Sequence, residues 1–171
     1  MKILGIDPGY AIVGYGVIQS EHGKYRPLQY GAVTTQAGMD FNQRLLGIYD
    51  GISAVIANTK HDSVSIEKLF FQNNQKTAIG VAEARGVILL ACVKAGLHIF
   101  EYTPLQIKMA ITGYGRAQKP QIMGVTKALL NLREMPKPDD VADALALAIC
   151  HSRTAGTTLE QRMLLDSKSQ G

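Results

Sequence analysis

The chain has 171 residues, 46% of them hydrophobic, with a formal net charge of +4 and a pI near 9.1. That is enough apolar material for one sizeable core, so a single domain is expected, and the mild basicity suits an anionic partner such as nucleic acid. No segment reaches membrane-spanning length and no secretory leader pattern is present, which argues against a membrane-spanning helix and leads us to expect a cytoplasmic protein. Cys92 and Cys150 lie inside apolar helical patterns without metal-ligand or redox spacing, and read as small core residues of a reducing compartment.

The apolar run Ile3-Leu4-Gly5-Ile6 suits a buried central strand, and Asp7-Pro8-Gly9 ends it with turn chemistry. Asp7 is therefore an acid at the end of a buried strand, a costly place for a lone carboxylate unless it is exposed, capping or compensated. Residues 12–18 alternate through Val13, Tyr15 and Val17 with Gly14 and Gly16 allowing close backbone approach, and after a Glu21-His22-Gly23 turn a third strand is expected over Tyr25 to Thr35. The opening is thus an antiparallel meander. From Asp40 the apolar period changes: Phe41, Leu45, Ile48, Ile52, Val55 and Ile56 mark one face of a helix, with Asp40 and Gln43 placed as a capping box. Ser63 to Ile66 is a short strand carrying Glu67 at its end, as the first strand carries Asp7; adjacent parallel strands would make the two acids neighbours.

A second helix is expected from about Asn74 to Ala95. Its apolar face is wider than one contact requires, and Val81, Ala84, Ile88 and Cys92 are expected to contribute to a twofold interface. A strand over Leu97 to Tyr102 and a short helix capped by Thr103-Pro104 and running to Ile111 follow. Gly113-Tyr114-Gly115-Arg116-Ala117-Gln118-Lys119 has the glycines and cations suited to tracking a phosphate backbone, with Arg116 and Lys119 as the candidate contacts. A helix from about Pro120 to Leu132 and a linker then lead to a final helix opening at Asp139-Asp140, with Asp139 as expected N-cap and Asp140 and Asp143 on one face. The small apolar residues after Val141 imply close packing on the sheet. Residues 1–153 are expected to form the domain and 154–171 a loosely held polar tail.

The elements describe an α/β domain with a mixed five-stranded sheet and helices on both faces. Asp7, Glu67, Asp140 and Asp143 form a set of hard oxygen donors that cannot cluster uncompensated. Such donors select Mg²⁺ or Mn²⁺, and two ions would neutralise the set, the arrangement used for in-line phosphoryl displacement. Because the acids are included in the total charge, the remaining surface is more positive than +4 suggests.

Gly5-Ile6-Asp7-Pro8-Gly9, Glu67 with Phe70 and Asn74, Gly113-Tyr114-Gly115 with Lys119, and Asp140-Val141-Ala142-Asp143-Ala144-Leu145-Ala146 resemble the RuvC family of bacterial Holliday junction resolvases over about residues 1 to 153. The resemblance implies a ribonuclease H-like fold, a homodimer, Mg²⁺-dependent symmetric nicking of four-way junction DNA, and cooperation with a RuvA–RuvB branch-migration complex. It implies that Asp7, Glu67, Asp140 and Asp143 bind metal, that Lys108 and Lys119 lie near the scissile phosphate, and that Phe70 stacks on junction bases. Asp139 also shares a face with Asp143; the Asp-x-x-Asp-Ala-Leu-Ala register favours Asp140. Two other classes compete. The opening strand and hairpin resemble the first phosphate loop of actin-like ATPases and sugar kinases, whose duplicated domains need a longer chain. The other is a DNA-structure-binding protein without catalysis, against which four intact carboxylates argue.

Overall fold

The computed structural model of the chain describes residues 1–68 and 75–155. Alternating apolar runs give strands β1 (Lys2–Asp7), β2 (Ile12–Glu21), β3 (Lys24–Thr34), β4 (Ser63–Glu67) and β5 (His98–Tyr102). Segments with helical apolar spacing give α1 (Phe41–Thr59), α2 (Gln75–Lys94), α3 (Pro104–Thr112), α4 (Lys119–Leu129) and α5 (Asp139–Ala155). The sheet runs in the order β3-β2-β1-β4-β5: β1 is antiparallel to β2 and parallel to β4, and β4 is parallel to β5. This is the mixed five-stranded α/β sheet expected from the sequence.

Period-two alternation divides the core into two layers. Leu4, Ile6, Val13, Val17, Val64 and Ile66 pack with Ile48, Ile52, Ala84, Ile88 and Cys92 of α1 and α2 on one face. Ile3 and Ile18 face the opposite side, packing with Ile111, Leu130, Leu145 and Ile149 of the α3, α4 and α5 layer. Arg153 ties the end of α5 to this layer, donating from its guanidinium to the Ile111 carbonyl at 3.3 Å and to the Tyr25 hydroxyl at 3.2 Å. Burial holds the imidazoles of His61 and His151 neutral, pushing both from 6.5 down to about 4. His151 Nδ1 lies 2.7 Å from the Tyr102 hydroxyl, and its ring is 4.3 Å from that of Phe100.

Several expectations are corrected. Ala84, Ile88 and Cys92 of α2 are buried inside this chain and are not available to a partner. The outward apolar positions of α2 are Ile79, Leu90 and Val93, because a helix greasy on both sides gives no sequence cue to which stripe the sheet takes. Asp139 is the first helical residue of α5 rather than its N-cap; the Val141 amide donates to the Pro138 carbonyl at 3.0 Å. Helix α4 begins one residue earlier and ends three residues earlier than expected, at Lys119 and Leu129. Helix α5 runs on through Ala155, which is buried, with the Thr154 hydroxyl donating to the Cys150 carbonyl at 2.7 Å, and the rest of the expected tail, 156–171, lies outside the described residues. Asp40 caps α1 by accepting from the amides of Asn42 and Gln43 at 3.0 and 3.3 Å.

Candidate active site

The parallel register of β1 and β4 pairs Gly5 with Ser65 and Ile6 with Ile66. One further step sets Asp7 beside Glu67, and alternation directs both toward the α5 face, the side that Ile3 and Gly5 also share. Helix α5 comes down on this face at glycines. A Cβ on Gly5 would lie 1.9 Å from the Ala144 carbonyl oxygen, and one on Gly14 would lie 2.0 Å from that of Asp140. A Cβ on Gly16 would meet Leu145 at 2.6 Å. The missing side chains on β1 and β2 thus let the first turns of α5 touch the strands, bringing Asp140 and Asp143 to the ends where Asp7 and Glu67 stand.

The electrostatics record this convergence. Burial, followed by the charges of Glu67, Asp143 and Asp140, pushes the Asp7 carboxyl from its ordinary 3.8 up to about 8, against a smaller opposing pull from Lys119. Glu67 is raised as well, chiefly by burial and then by Asp143, while a hydrogen bond with Asp7 and the charge of Lys119 oppose the rise. The four acids singled out in the sequence therefore share one site. Of the two aspartates at the helix start, Asp140 is the one whose charge figures among the main causes of the rise at Asp7.

Lys119 opens α4 and projects into the cluster, its ammonium 2.9 Å from Asp143 Oδ2 and 3.4 Å from Asp139 Oδ2. Its position is set by the preceding loop. Gly113 ends α3 in the left-handed region at φ 72°, a conformation that favours glycine. Buried Ala117 then anchors the loop, with its amide donating to the Tyr114 carbonyl at 3.1 Å, and the Gln118 amide donates to the Gln121 side chain at 2.8 Å. A cleft of about 330 Å³ is lined by the acids Glu67 and Asp143 together with Lys108 and Lys119. Ile107, Ile122 and Leu147 form much of its apolar wall. Lys108 belongs here because Thr103 and Gln106 cap α3 reciprocally, at 3.2 and 2.8 Å, and so set where that helix starts. Arg116 is exposed on the loop and does not line the cleft. Phe70 and Asn74 lie outside the described residues.

In this arrangement no three acidic, histidine or cysteine side chains among the described residues close around a single point; Lys119 supplies the local positive charge. The donor chemistry fits a divalent cation. A carboxylate whose pKa is raised by burial and by three like neighbours is one that an added dication would return to its ionised state, and carboxylate oxygens are the hard donors that Mg²⁺ and Mn²⁺ take. Sequence reasoning did not identify Gly5 as a docking point for α5 or Asp139 as a partner of Lys119. Each depends on an element far along the chain, and the one local signal was the four-residue spacing of Asp139 and Asp143.

A family model described as crossover junction endodeoxyribonuclease RuvC matches residues 3–151. The chain is 54% identical to the crossover junction endodeoxyribonuclease RuvC of Ruminiclostridium cellulolyticum over 154 residues, covering 90% of this chain and 93% of that one. It is 53% identical to the protein of the same name from Clostridioides difficile, also over 154 residues, 90% of this chain and 91% of that one. Among solved structures, Thermus thermophilus RuvC in complex with a Holliday junction substrate superposes with a TM-score of 0.86 at 33% identity, over 91% of this chain and 94% of that chain. The yeast mitochondrial Holliday junction resolvase Ydc2 shares the fold at 11% identity, with a TM-score of 0.65 over 88% of this chain and 77% of that one.

Proposed function

The chain belongs to the RuvC family of crossover junction endodeoxyribonucleases, and on that premise we propose that Asp7, Glu67, Asp140 and Asp143 form the centre with which it nicks four-way DNA junctions. It is a structure-specific endodeoxyribonuclease of ribonuclease H-like fold that acts in DNA recombination and repair and depends on a divalent metal. The observation that carries the reading of the site is the docking of α5 on the glycines of β1 and β2, which brings Asp140 and Asp143 to the strand ends where Asp7 and Glu67 stand; burial first, and then these three neighbouring carboxylates, raise Asp7 to about 8. Isolated turn acids or helix caps would not produce it.

We assign the metal as Mg²⁺, with Mn²⁺ as substitute, and two ions per site, which would balance four ionised carboxylates. When bound, such ions activate water and neutralise charge on a phosphodiester. The residues of the chain do the rest. Asp7 and Glu67, fixed by strand register, and Asp140 and Asp143, fixed by helix docking, hold the oxygen donors in place. Lys108 and Lys119, which line the same cleft as Glu67 and Asp143, offset the charge that builds on the phosphate as the bond breaks. The expected products are a 5′-phosphate and a 3′-hydroxyl. Exposed Arg116 is proposed as a contact to the DNA backbone away from the cleft, and Phe70 as a base-stacking residue. Paired symmetric nicks call for a homodimer. The RuvA–RuvB branch-migration complex is the proposed partner machinery and the cytoplasm the proposed location; no helix among the described residues is long and apolar enough to cross a membrane.

The test is cleavage of an end-labelled four-way junction and of the matched linear duplex, with Mg²⁺ and with EDTA. Paired nicks at symmetric positions, dependent on Mg²⁺ and resealed by a ligase, are expected. Junction binding without nicking would favour a purely structural DNA-binding role, and ATP hydrolysis would favour the phosphotransferase alternative.

A further inference from the structure

Lys119 has two carboxylate partners of different kinds. Asp143 is the closer, at 2.9 Å, with its side chain 33% exposed. Asp139, one helical turn earlier at 3.4 Å, has its side chain 62% exposed. The two aspartates are four residues apart on α5 and so share a face. The lysine approaches them from the first residue of α4 on a flexible four-carbon stem, and its ammonium bridges the two at once, so a partner is already in reach if the Asp143 contact is lost. A dication taken up at Asp143 must compete with that ammonium for the same oxygens.

We propose that Asp139 and Lys119 form a latch: Lys119 bridges Asp143 and Asp139 until a divalent ion binds, then gives up Asp143 and is retained by Asp139 alone, which keeps its ammonium beside the cleft. Asp139 is thus a positioning residue acting through Lys119, and ion loading is coupled to presentation of a cation to the incoming phosphate. The proposal rests on the reading of Asp143 as a metal ligand. The asymmetry in exposure fits it: the half-buried partner is the one an ion can use, and the solvated partner costs little to leave or rejoin. An exposed pair of this kind is worth at most about a fivefold change in an equilibrium.

The test needs no DNA. Mn²⁺ binding is measured by isothermal titration calorimetry on the full chain, at one pH and moderate salt, for wild type, Asp139→Asn, Asp139→Glu, Lys119→Met and the Asp139→Asn/Lys119→Met double variant. All substitutions are at exposed or half-exposed side chains, and circular dichroism checks the fold. The latch predicts that Asp139→Asn weakens binding about threefold, because the displaced ammonium has lost its alternative partner. Asp139→Glu should restore affinity, and Lys119→Met should tighten it. In the Lys119→Met background the effect of Asp139→Asn should fall below about 1.5-fold, the difference between backgrounds being the coupling. Equal weakening in both backgrounds would make Asp139 a ligand or a remote charge and overturn the latch while leaving the metal site standing. Absence of Mn²⁺ binding by the wild type would instead overturn the metal-site reading, and the latch with it.

Discussion

Asp7 is the residue at which the chain gives up stability for a site. Its folded pKa of about 8 lies above the unfolded value near 3.8, so between those limits the folded state holds a proton that the unfolded state has lost. Stability therefore falls as pH rises through this window, by at most about 1.4 kcal/mol per pH unit for one proton. Raised Glu67 acts in the same direction. His61 and His151 act in the opposite one: with folded values near 4 and an ordinary value of 6.5, they make stability rise with pH through that range, and their slope fades only over the next unit above 6.5. The carboxylate effect is therefore read as the difference between wild type and Asp7→Asn, in which the histidine slopes cancel. In metal-free buffer the wild-type Tm is expected to fall relative to that of Asp7→Asn between pH 6.5 and 8, and Asp7→Asn, which keeps the shape and removes the charge, to be the more stable protein at pH 8. Thermal melts at four pH values check this; parallel slopes for the two proteins would remove Asp7 from the charge cluster. The same variant should lose nicking by ~10²-fold or more while retaining junction binding in a gel shift, because the cleft lysines Lys108 and Lys119 are untouched.

At the scale of elements, the site depends on how closely α5 lies on β1 and β2. The acids at strand ends were legible because Asp7 and Glu67 each terminate an apolar run, and parallel pairing makes them neighbours. The α5 acids were legible as a first-turn pair, yet the choice of Asp140 over Asp139 depends on the rotation of the helix about its axis, which docking at Gly5, Gly14 and Gly16 sets and no local pattern reports. Gly14 and Gly16 are read in sequence as permitting close approach, but Gly5 is not, nor is the approaching element, more than a hundred residues away. A methyl group at Gly5 would meet the backbone of Ala144 at 1.9 Å and of Ala148 at 2.8 Å, atoms that cannot swing aside. Gly5→Ala is therefore expected to destabilise the protein by about 3 kcal/mol or more, at the upper end of overpacking costs, as read from urea unfolding. Gly14→Ala should cost less stability, because it can be relieved by lifting only the first turn of α5. That movement carries Asp140 away from Asp7, so weakened Mn²⁺ binding in a folded Gly14→Ala protein is the expected signature; wild-type affinity would show that the first turn need not touch β2.

For the whole molecule, the unresolved demand is symmetry. Two nicks at equivalent positions on opposite strands of a junction require two sites in fixed relation, and one chain supplies a single cluster. Helix α2 offers the surface for pairing. Its inner stripe, Ala84, Ile88, Ala91 and Cys92, is consumed by the core, while Ile79, Leu90 and Val93 remain exposed along its outer side, with Leu46 of neighbouring α1 exposed as well. Apolar side chains on a face the chain itself does not cover are the composition of a self-complementary interface, and twofold pairing of α2 with its copy would bury both stripes at once. A charge at Leu90 would be desolvated in such a dimer and solvated in a monomer, so Leu90→Glu should shift the mass measured by light scattering at micromolar concentration from dimer to monomer. Because Leu90 is exposed, the variant should keep the wild-type circular dichroism spectrum and Tm, apart from any concentration-dependent share of stability due to association. Its junction cleavage should pass from paired to single, uncorrelated nicks. A monomeric wild type, or a Leu90→Glu protein that remains dimeric and nicks in pairs, would place the symmetry elsewhere than on the outer face of α2.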